Sequence, residues 1–242
     1  MTNKNYLEEL NNSKKTFIIY KSNKGFDLYT DFSKRIILTN NNVKRFINES
    51  TKLKSKRKET DLFIGFFGYE ILNNLIGVKV KKQKGLKFPK GIFYKPETKL
   101  KLPIKLNYRN LGIVKPNTLF KININKTSYK IIFNKFKKKI KSGETYQIKI
   151  CTKYRNKTQI DALDFFCRLV KSNMAPEAFM IKDKDYSIIS CSPENLINKK
   201  NDFITTKPIA GTLKKTKKLN KIKALAFFKK NIKETKEHNM IV

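Results

Sequence analysis

Short apolar runs separated by polar turns organise the first hundred residues. Runs rich in β-branched and aromatic residues lie at positions 17–20, 35–39 and 62–69, and each is expected to form a strand. Three asparagines at 40–42 predict a turn, and the glycines at 65 and 68 end a strand before a short helical segment. A further strand is expected within 85–96. The charged segment 49–60 is typical of a solvated loop. This part of the chain is therefore predicted to be rich in strands.

The period of the apolar positions changes after residue 126. Tyr129, Ile132, Phe133, Phe136 and Ile140 recur at helical spacing, which predicts an amphipathic helix over 127–141 with a lysine-rich outer face. Its predicted N-cap is the residue at 127 or 128.

Strict alternation of apolar and polar residues then predicts a strand over 143–154. The remaining elements are predicted as a helix at 162–172, strands at 178–183, 186–192 and 203–211, and a helix at 219–238. Because strands follow one another without regular helical crossovers, this order favours an α+β fold with antiparallel sheets rather than a parallel βαβ array.

The net charge of +36 raises the question of nucleic-acid binding. The basic residues are 49 lysines and only 6 arginines, and the lysines are spread along the chain. A surface selected for phosphates and bases uses more arginine, because its guanidinium makes bidentate contacts. A lysine-, asparagine- and isoleucine-rich proteome is the favoured explanation, and a basic nucleic-acid-binding protein is kept as the alternative of another class.

The cysteines and the apolar runs exclude several other classes. Cys151, Cys167 and Cys191 match no metal-ligand spacing, and the chain has one histidine. They are interpreted as reduced core thiols. No apolar run reaches the roughly 18 residues that a membrane span needs. The first residues lack the apolar core of a signal peptide. We expect a soluble cytoplasmic protein without a membrane partner.

Four short motifs follow in a fixed order: SGETYQIKI at 142–150, SCSPENLI at 190–197, TKPIAGT at 206–212 and KETKEHNMIV at 233–242. Their order and spacing resemble the catalytic core of the chorismate-utilising enzymes. That family includes component I of anthranilate synthase and of aminodeoxychorismate synthase, and the isochorismate and salicylate synthases.

The resemblance implies that antiparallel sheets are layered with helices. It also divides the chain into an N-terminal strand-rich region at 1–125 and the front part of a chorismate-binding catalytic domain at 126–242. In the family a further segment follows the last motif, so we expect this chain to be an N-terminal portion that is inactive alone.

The resemblance also assigns roles to individual residues. Chorismate is a dicarboxylate whose C4 hydroxyl must leave, so a site needs an acid, a carboxylate clamp and a nucleophile. Glu194 of the SPE sequence is the expected acid, which a mostly buried position would keep protonated. Glu237 is the expected Mg²⁺ ligand, with Glu234 as its partner three residues earlier on one helix face. Backbone and hydroxyl groups of Ala210, Gly211 and Thr212 are expected to bind a substrate carboxylate.

The nucleophile is inferred from two positions. Family members that add water carry a lysine base where this chain has Gln147, which cannot act as that base. Some aminodeoxychorismate synthases use a nucleophilic lysine where this chain has Ala210. The resemblance therefore implies direct attack by ammonia, delivered by a glutamine amidotransferase subunit. The segment 173–180, NMAPEAFM, and the absence of LLES favour aminodeoxychorismate synthase over anthranilate synthase, which stays as the alternative.

Overall fold

The computed structural model describes residues 3–51, 58–78, 88–108, 119–158, 160–209 and 211–241. The chain divides into two compact units, one formed by Met1–Tyr108 with Ala162–Val242 and the other by Arg109–Asp161. These units divide the chain differently from the sequence regions 1–125 and 126–242, and that division remains a prediction about the sequence.

Helices and strands alternate irregularly along the chain. In order they are α1 (Asn3–Asn12), β1 (Phe17–Ser22), β2 (Gly25–Ile37), α2 (Val43–Thr51), β3 (Ile64–Phe67), α3 (Tyr69–Leu75), β4 (Gly91–Leu102), β5 (Lys121–Ile122), α4 (Lys126–Lys141), β6 (Tyr154–Arg155), α5 (Ala162–Ser172), β7 (Glu177–Lys182), β8 (Ser187–Ser192), β9 (Asn198–Lys200), β10 (Phe203–Thr205), α6 (Lys221–Lys230) and α7 (Ile232–Ile241). Within the described ranges, none of the helices is long and apolar enough to cross a membrane.

A six-stranded sheet forms the centre of the first unit, in the order β3-β4-β2-β1-β7-β8. Every pair in it is antiparallel. The pairing of β2 with β4 is the longest and has an irregularity between Phe32 and Lys34. The antiparallel α+β class expected from the element order is confirmed.

Both faces of this sheet are apolar, because alternate residues of a strand point to opposite sides. On β1, Phe17 and Ile19 pack with side chains of α1 and α5. Ile18 between them belongs to a second cluster that includes Tyr94 of β4. The amphipathic helix α5 contributes Phe166, which is fully buried against the first cluster.

A third cluster lies where α2 and α3 pack on the sheet, and it corrects the sequence interpretation. Val43 and Phe46 of α2 pack with Leu38 and with Ile71 of α3. The helix α2 extends to Thr51, so the segment 49–60 begins as helix rather than loop. The loop was predicted from the charged residues of this segment. The helix that ends within it is stabilised by Val43 and Phe46, which are buried about one turn apart. Residues 52–57 lie outside the described part.

The second unit contains α4 and the short antiparallel pair of β5 (before the helix) with β6 (after it). The helix spans the expected residues, but its N-cap is Asn125, whose side-chain oxygen accepts a hydrogen bond from the Ser128 amide at 2.8 Å. The predicted caps at 127 and 128 are wrong by two or three positions. Asparagine is a strong N-cap because it satisfies an amide that the helix leaves unpaired.

The strand predicted over 143–154 is wrong for most of its length. Only its last residue, Tyr154, is in a strand, namely β6, which pairs with β5. Alternation describes which side chains would share a face, but a strand also needs a partner for its backbone groups. In the described residues, 144–153 pair with no strand.

The predicted terminal helix at 219–238 is two helices. Asn231 ends α6, where its amide donates to the carbonyls of Phe227 and Phe228. Its side-chain oxygen also accepts from the Glu234 amide at 3.3 Å, in the first turn of α7. The predicted strand at 203–211 likewise stops at Thr205, since it pairs with the short β9 only.

Candidate functional site

A tight turn after β8 presents Glu194. The Ser192 hydroxyl donates to the Glu194 carbonyl at 3.1 Å and accepts from the Glu194 amide at 3.4 Å. Serine commonly forms such local turns, and proline at 193 ends the strand. The Glu194 Oε1 atom accepts a hydrogen bond from the Ile209 amide at 2.9 Å. The SPE turn is therefore joined directly to the PIAGT loop.

The PIAGT loop in turn contacts α7 through Gly211. This glycine has φ of +76°, a conformation that residues with a side chain rarely adopt. A Cβ at this position would lie 2.4 Å from Glu234 Oε2 and 2.9 Å from Phe228 Cε1. Glycine is thus required by both backbone conformation and space. Three of the four motifs meet at this point.

The two glutamates of α7 share one face of the helix. Lys233 Nζ lies 3.0 Å from Glu234 Oε1 and 3.5 Å from Glu237 Oε2. The hydrogen bond to Glu234 raises the pKa of Lys233. Among the described residues, Glu234 Oε2 is buried and has no hydrogen-bond partner. One acceptor of this pair is therefore available for a cation or a donor from a ligand.

This donor set can be tested against the Mg²⁺ ion that the sequence resemblance implies. A buried acceptor without a partner is costly, and a bound cation would satisfy it. Mg²⁺ uses one or two carboxylates and keeps several waters, so Glu234 and Glu237 suffice in number. Within the described part of the chain, no three acidic, histidine or cysteine residues form a metal-binding group. The residues present fit a hydrated ion held from one side.

The structure corrects the expected burial of the acid and leaves one expected substrate-binding residue outside the described part of the chain. Glu194 is exposed, not mostly buried, because the PIAGT loop covers only one of its oxygens. Thr212 is also exposed. Ala210 lies outside the described residues.

Gln147 belongs to the second compact unit. It is exposed and lies in the segment that was predicted to be a strand and is not one. Its role as the position that distinguishes water from ammonia stays a prediction.

Sequence reasoning missed the groups that connect the motifs. The sequence gives no signal for the Ile209 amide, since every residue except proline carries the same backbone donor. Lys233 could have been found, because it precedes Glu237 by four positions on one helix face. Asn195 also donates to Glu177 at 3.2 Å, which ties the turn to β7.

The three cysteines, all within the described residues, are in no disulfide, and they differ in burial. Cys167 is buried and Cys191 is half-buried, whereas Cys151 is exposed. Burial raises the pKa of Cys191, which disfavours its thiolate. The interpretation of all three as core thiols is wrong for Cys151.

Comparisons with known proteins agree with this arrangement of motifs. The family described as chorismate binding enzyme matches residues 3–242. Anthranilate synthase component 1 of Buchnera aphidicola subsp. Pemphigus spyrothecae is 26% identical over 241 residues, covering 82% of this chain and 46% of that protein. Aminodeoxychorismate synthase component 1 of Bacillus subtilis is 32% identical over 109 residues, covering 45% of this chain and 23% of that protein. The chain spans about half the length, or less, of the curated relatives it matches.

Proposed function

Because this chain belongs to the chorismate-binding enzyme family, we propose that it is part of component I of a synthase that aminates chorismate with ammonia. The observation that supports this most is the junction at the PIAGT loop. There the Ile209 amide binds Glu194, and Gly211 packs against Glu234. Residues from three motifs separated in sequence thus present two carboxylates around one loop.

Glu194 acts as the general acid in this proposal. Its Oε1 is held by the Ile209 amide, so Oε2 is left to carry the proton. Ammonia forms the new C–N bond at C4 as the C4–O bond of chorismate breaks, and the oxygen takes the proton from Glu194 to leave as water. The new ammonium group then returns a proton to the Glu194 carboxylate.

Glu234 and Glu237 would hold Mg²⁺, and Lys233 would move away from them when the ion binds. When bound, the ion would supply positive charge that neutralises a substrate carboxylate. The Gly211 backbone and the Thr212 hydroxyl contribute hydrogen bonds to the substrate from the loop beside it.

Ammonia is the proposed nucleophile because the chain offers no lysine at the two positions that direct other members to different chemistry. Gln147 is no base, and Ala210 is no nucleophile. A glutamine amidotransferase subunit is the partner expected to supply the ammonia. Its existence is consistent with the component 1 naming of the relatives.

The product is proposed to be 4-amino-4-deoxychorismate. The segment 173–180 and the missing LLES sequence support this branch. The 26% identity to an anthranilate synthase component 1 over most of the chain keeps anthranilate as the second candidate.

The test uses the chain alone and an extended enzyme. The extended enzyme joins this chain to the part of the Bacillus subtilis relative that lies beyond the matched residues, since this chain matches 23% of that protein. Both are incubated with chorismate, Mg²⁺ and ammonium salts, and the products are separated by chromatography. We expect 4-amino-4-deoxychorismate from the extended enzyme and no turnover by the chain alone. Anthranilate would select the second candidate, and isochorismate or salicylate would refute the amination proposal.

A further inference from the structure

A cavity of about 550 Å³ opens in the first compact unit, and none of the residues proposed to act on chorismate lines it. Its volume lies within the range of pockets for small organic ligands, roughly 300–1,000 Å³. Its walls come from α1, the start of β1, the middle of β2, β4 and the turn between β7 and β8. Aromatic and aliphatic side chains form part of the wall, namely Tyr6, Leu10, Phe32 and Tyr94.

Arg35 is fixed at this cavity by Asp183 behind it. Its Nε and Nη2 atoms donate to Asp183 Oδ2 at 3.0 and 2.8 Å. Asp183 is itself held by the Tyr94 hydroxyl and the Lys184 amide. Arg35 also lines the cavity, and its Nη1 atom takes no part in the hydrogen bonds to Asp183. An arginine held in this way is prepared to bind a carboxylate.

Asp31 supplies the opposite charge. It has φ of +50°, which is uncommon for a residue with a side chain, and it precedes the irregularity in the pairing of β2 with β4. The Thr30 hydroxyl donates to its Oδ2 at 2.9 Å and orients the carboxylate. The strained backbone places an acidic group on the cavity wall that a regular strand would place differently.

Further charges of both signs surround the opening. Lys15 and Lys184 add positive charge, and Glu9 adds negative charge. Within the described residues, none of these three side chains, nor that of Asp31, forms an ion pair. Charges of both signs without ionic partners, around a partly aromatic wall, complement a ligand that itself carries both signs.

We propose that this cavity binds a small zwitterion built on an aromatic or apolar body. Its carboxylate contacts Arg35, its ammonium group contacts Asp31, and its body packs on Phe32 and Tyr94. This site is independent of the proposed chemistry on chorismate.

Three matched probes test the proposal on the full 242-residue chain by isothermal titration calorimetry. They are 4-(aminomethyl)benzoate, 4-methylbenzoate without the ammonium group, and benzylamine without the carboxylate. We expect the zwitterion to bind at least about threefold more tightly than either analogue, which is the size of effect for partly exposed ion pairs. Equal affinities, or no saturable binding up to about 10 mM, would overturn the proposal.

Two variants test which residue contacts the carboxylate of the ligand and which contacts its ammonium group. Asp31→Asn keeps a residue that tolerates positive φ. It should weaken binding of the zwitterion and leave the affinity for 4-methylbenzoate unchanged. Arg35→Gln should weaken both carboxylates and leave benzylamine unchanged, a pattern that a general folding defect would not give. Lys44→Gln, an exposed change on α2, is the control and should change none of the three. Loss of all three probes in Asp31→Asn, or no change for any, would contradict the assignment.

Discussion

At the scale of single residues, the candidate site depends on groups with very different surroundings. Glu194 is exposed and uses one oxygen to accept from a backbone amide. Gly211 is confined between a carboxylate and an aromatic ring. Asp183 is almost fully buried and compensated by donors on several strands. Each therefore predicts a different experimental consequence.

Replacing Glu194 by glutamine in the extended enzyme should lower kcat by about 10²–10⁴-fold, as expected when a general acid is lost. Glutamine keeps an oxygen that accepts from the Ile209 amide, so the Michaelis constant for chorismate should change little. Steady-state kinetics measure both. Glu70→Gln on α3, also exposed, is the control. A fall in kcat of less than about threefold would remove Glu194 from the chemistry.

Gly211→Ala should lower the free energy of unfolding by more than the cost of the left-handed backbone conformation alone. The conformation costs roughly 1–2 kcal/mol for a residue with a Cβ, and the contacts with Glu234 and Phe228 add to it. Gly77→Ala is the matched control, since Gly77 has φ of +76° and open space around its Cβ position. Urea unfolding compares the two. Equal losses would show that the loop does not pack on α7 in solution.

Asp183→Asn should flatten the acid dependence of stability. Burial alone would raise the pKa of Asp183, but hydrogen bonds from Tyr94 and Arg35 lower it to about 2. The ionised group therefore stabilises the fold above its ordinary pKa of 3.8, by roughly 2 kcal/mol. That contribution is lost as the pH falls from about 4 to about 2. Urea unfolding at several pH values measures it.

The exposed Asp185→Asn serves as the control for this measurement. It should leave the pH dependence as in the unchanged chain. If Asp183→Asn and Asp185→Asn give the same slope between pH 4 and pH 2, the hydrogen-bond network around Asp183 does not lower its pKa.

At the scale of elements, the ends of helices are decided by asparagine side chains. Asn125 caps α4, Asn220 caps α6, and Asn231 separates α6 from α7. The abundance of asparagine, which the sequence analysis attributes to the composition of the proteome, therefore also contributes helix caps to this fold. Each cap satisfies an amide at the first turn of a helix.

Asn125→Ala should destabilise the first turn of α4 by about 1 kcal/mol, because the Ser128 amide loses its acceptor. Hydrogen exchange of the amides at 127–130 should speed up about fivefold, which corresponds to that free energy. Thr127→Ala, at the position that sequence reasoning favoured, should have a smaller effect. A larger effect of Thr127→Ala would reverse the cap assignment.

At the scale of the whole molecule, the charge of +36 coexists with a core that is apolar on both faces of the sheet. Ion pairs involve a minority of the lysines in the described residues, for instance Lys99 and Lys101 with Asp27. The excess positive charge therefore acts on the molecule as a diffuse field.

A protein with a diffuse positive field should bind polyanions and cation-exchange resins through its net charge, without specificity for nucleic acid. We expect the chain to elute at the same salt concentration from heparin and from a sulfonate cation exchanger. Binding to DNA should show no preference between duplexes of different sequence. Elution from heparin or DNA at clearly higher salt than from the sulfonate resin would favour the nucleic-acid alternative, because phosphate contacts give a steep salt dependence.

The sequence by itself determined the elements whose pattern is local. Helix α5 occupies the predicted residues, and β1, β7 and β8 lie where apolar runs meet turn residues. The order of the motifs was also sufficient to indicate the family that the comparison confirms. Periodicity, turn chemistry and motif spacing are all properties of neighbouring residues, so they can be read without the fold.

Tertiary structure decided everything that needs a partner from far along the chain. Residues 144–153 alternate like a strand, yet in the described chain they pair with none, and Glu194 is exposed because only one loop covers it. Arg35 meets Asp183 across 148 positions. Gly211 is required because Glu234 approaches it. Strand pairing, burial and close packing depend on which distant segments meet, and local pattern does not specify them.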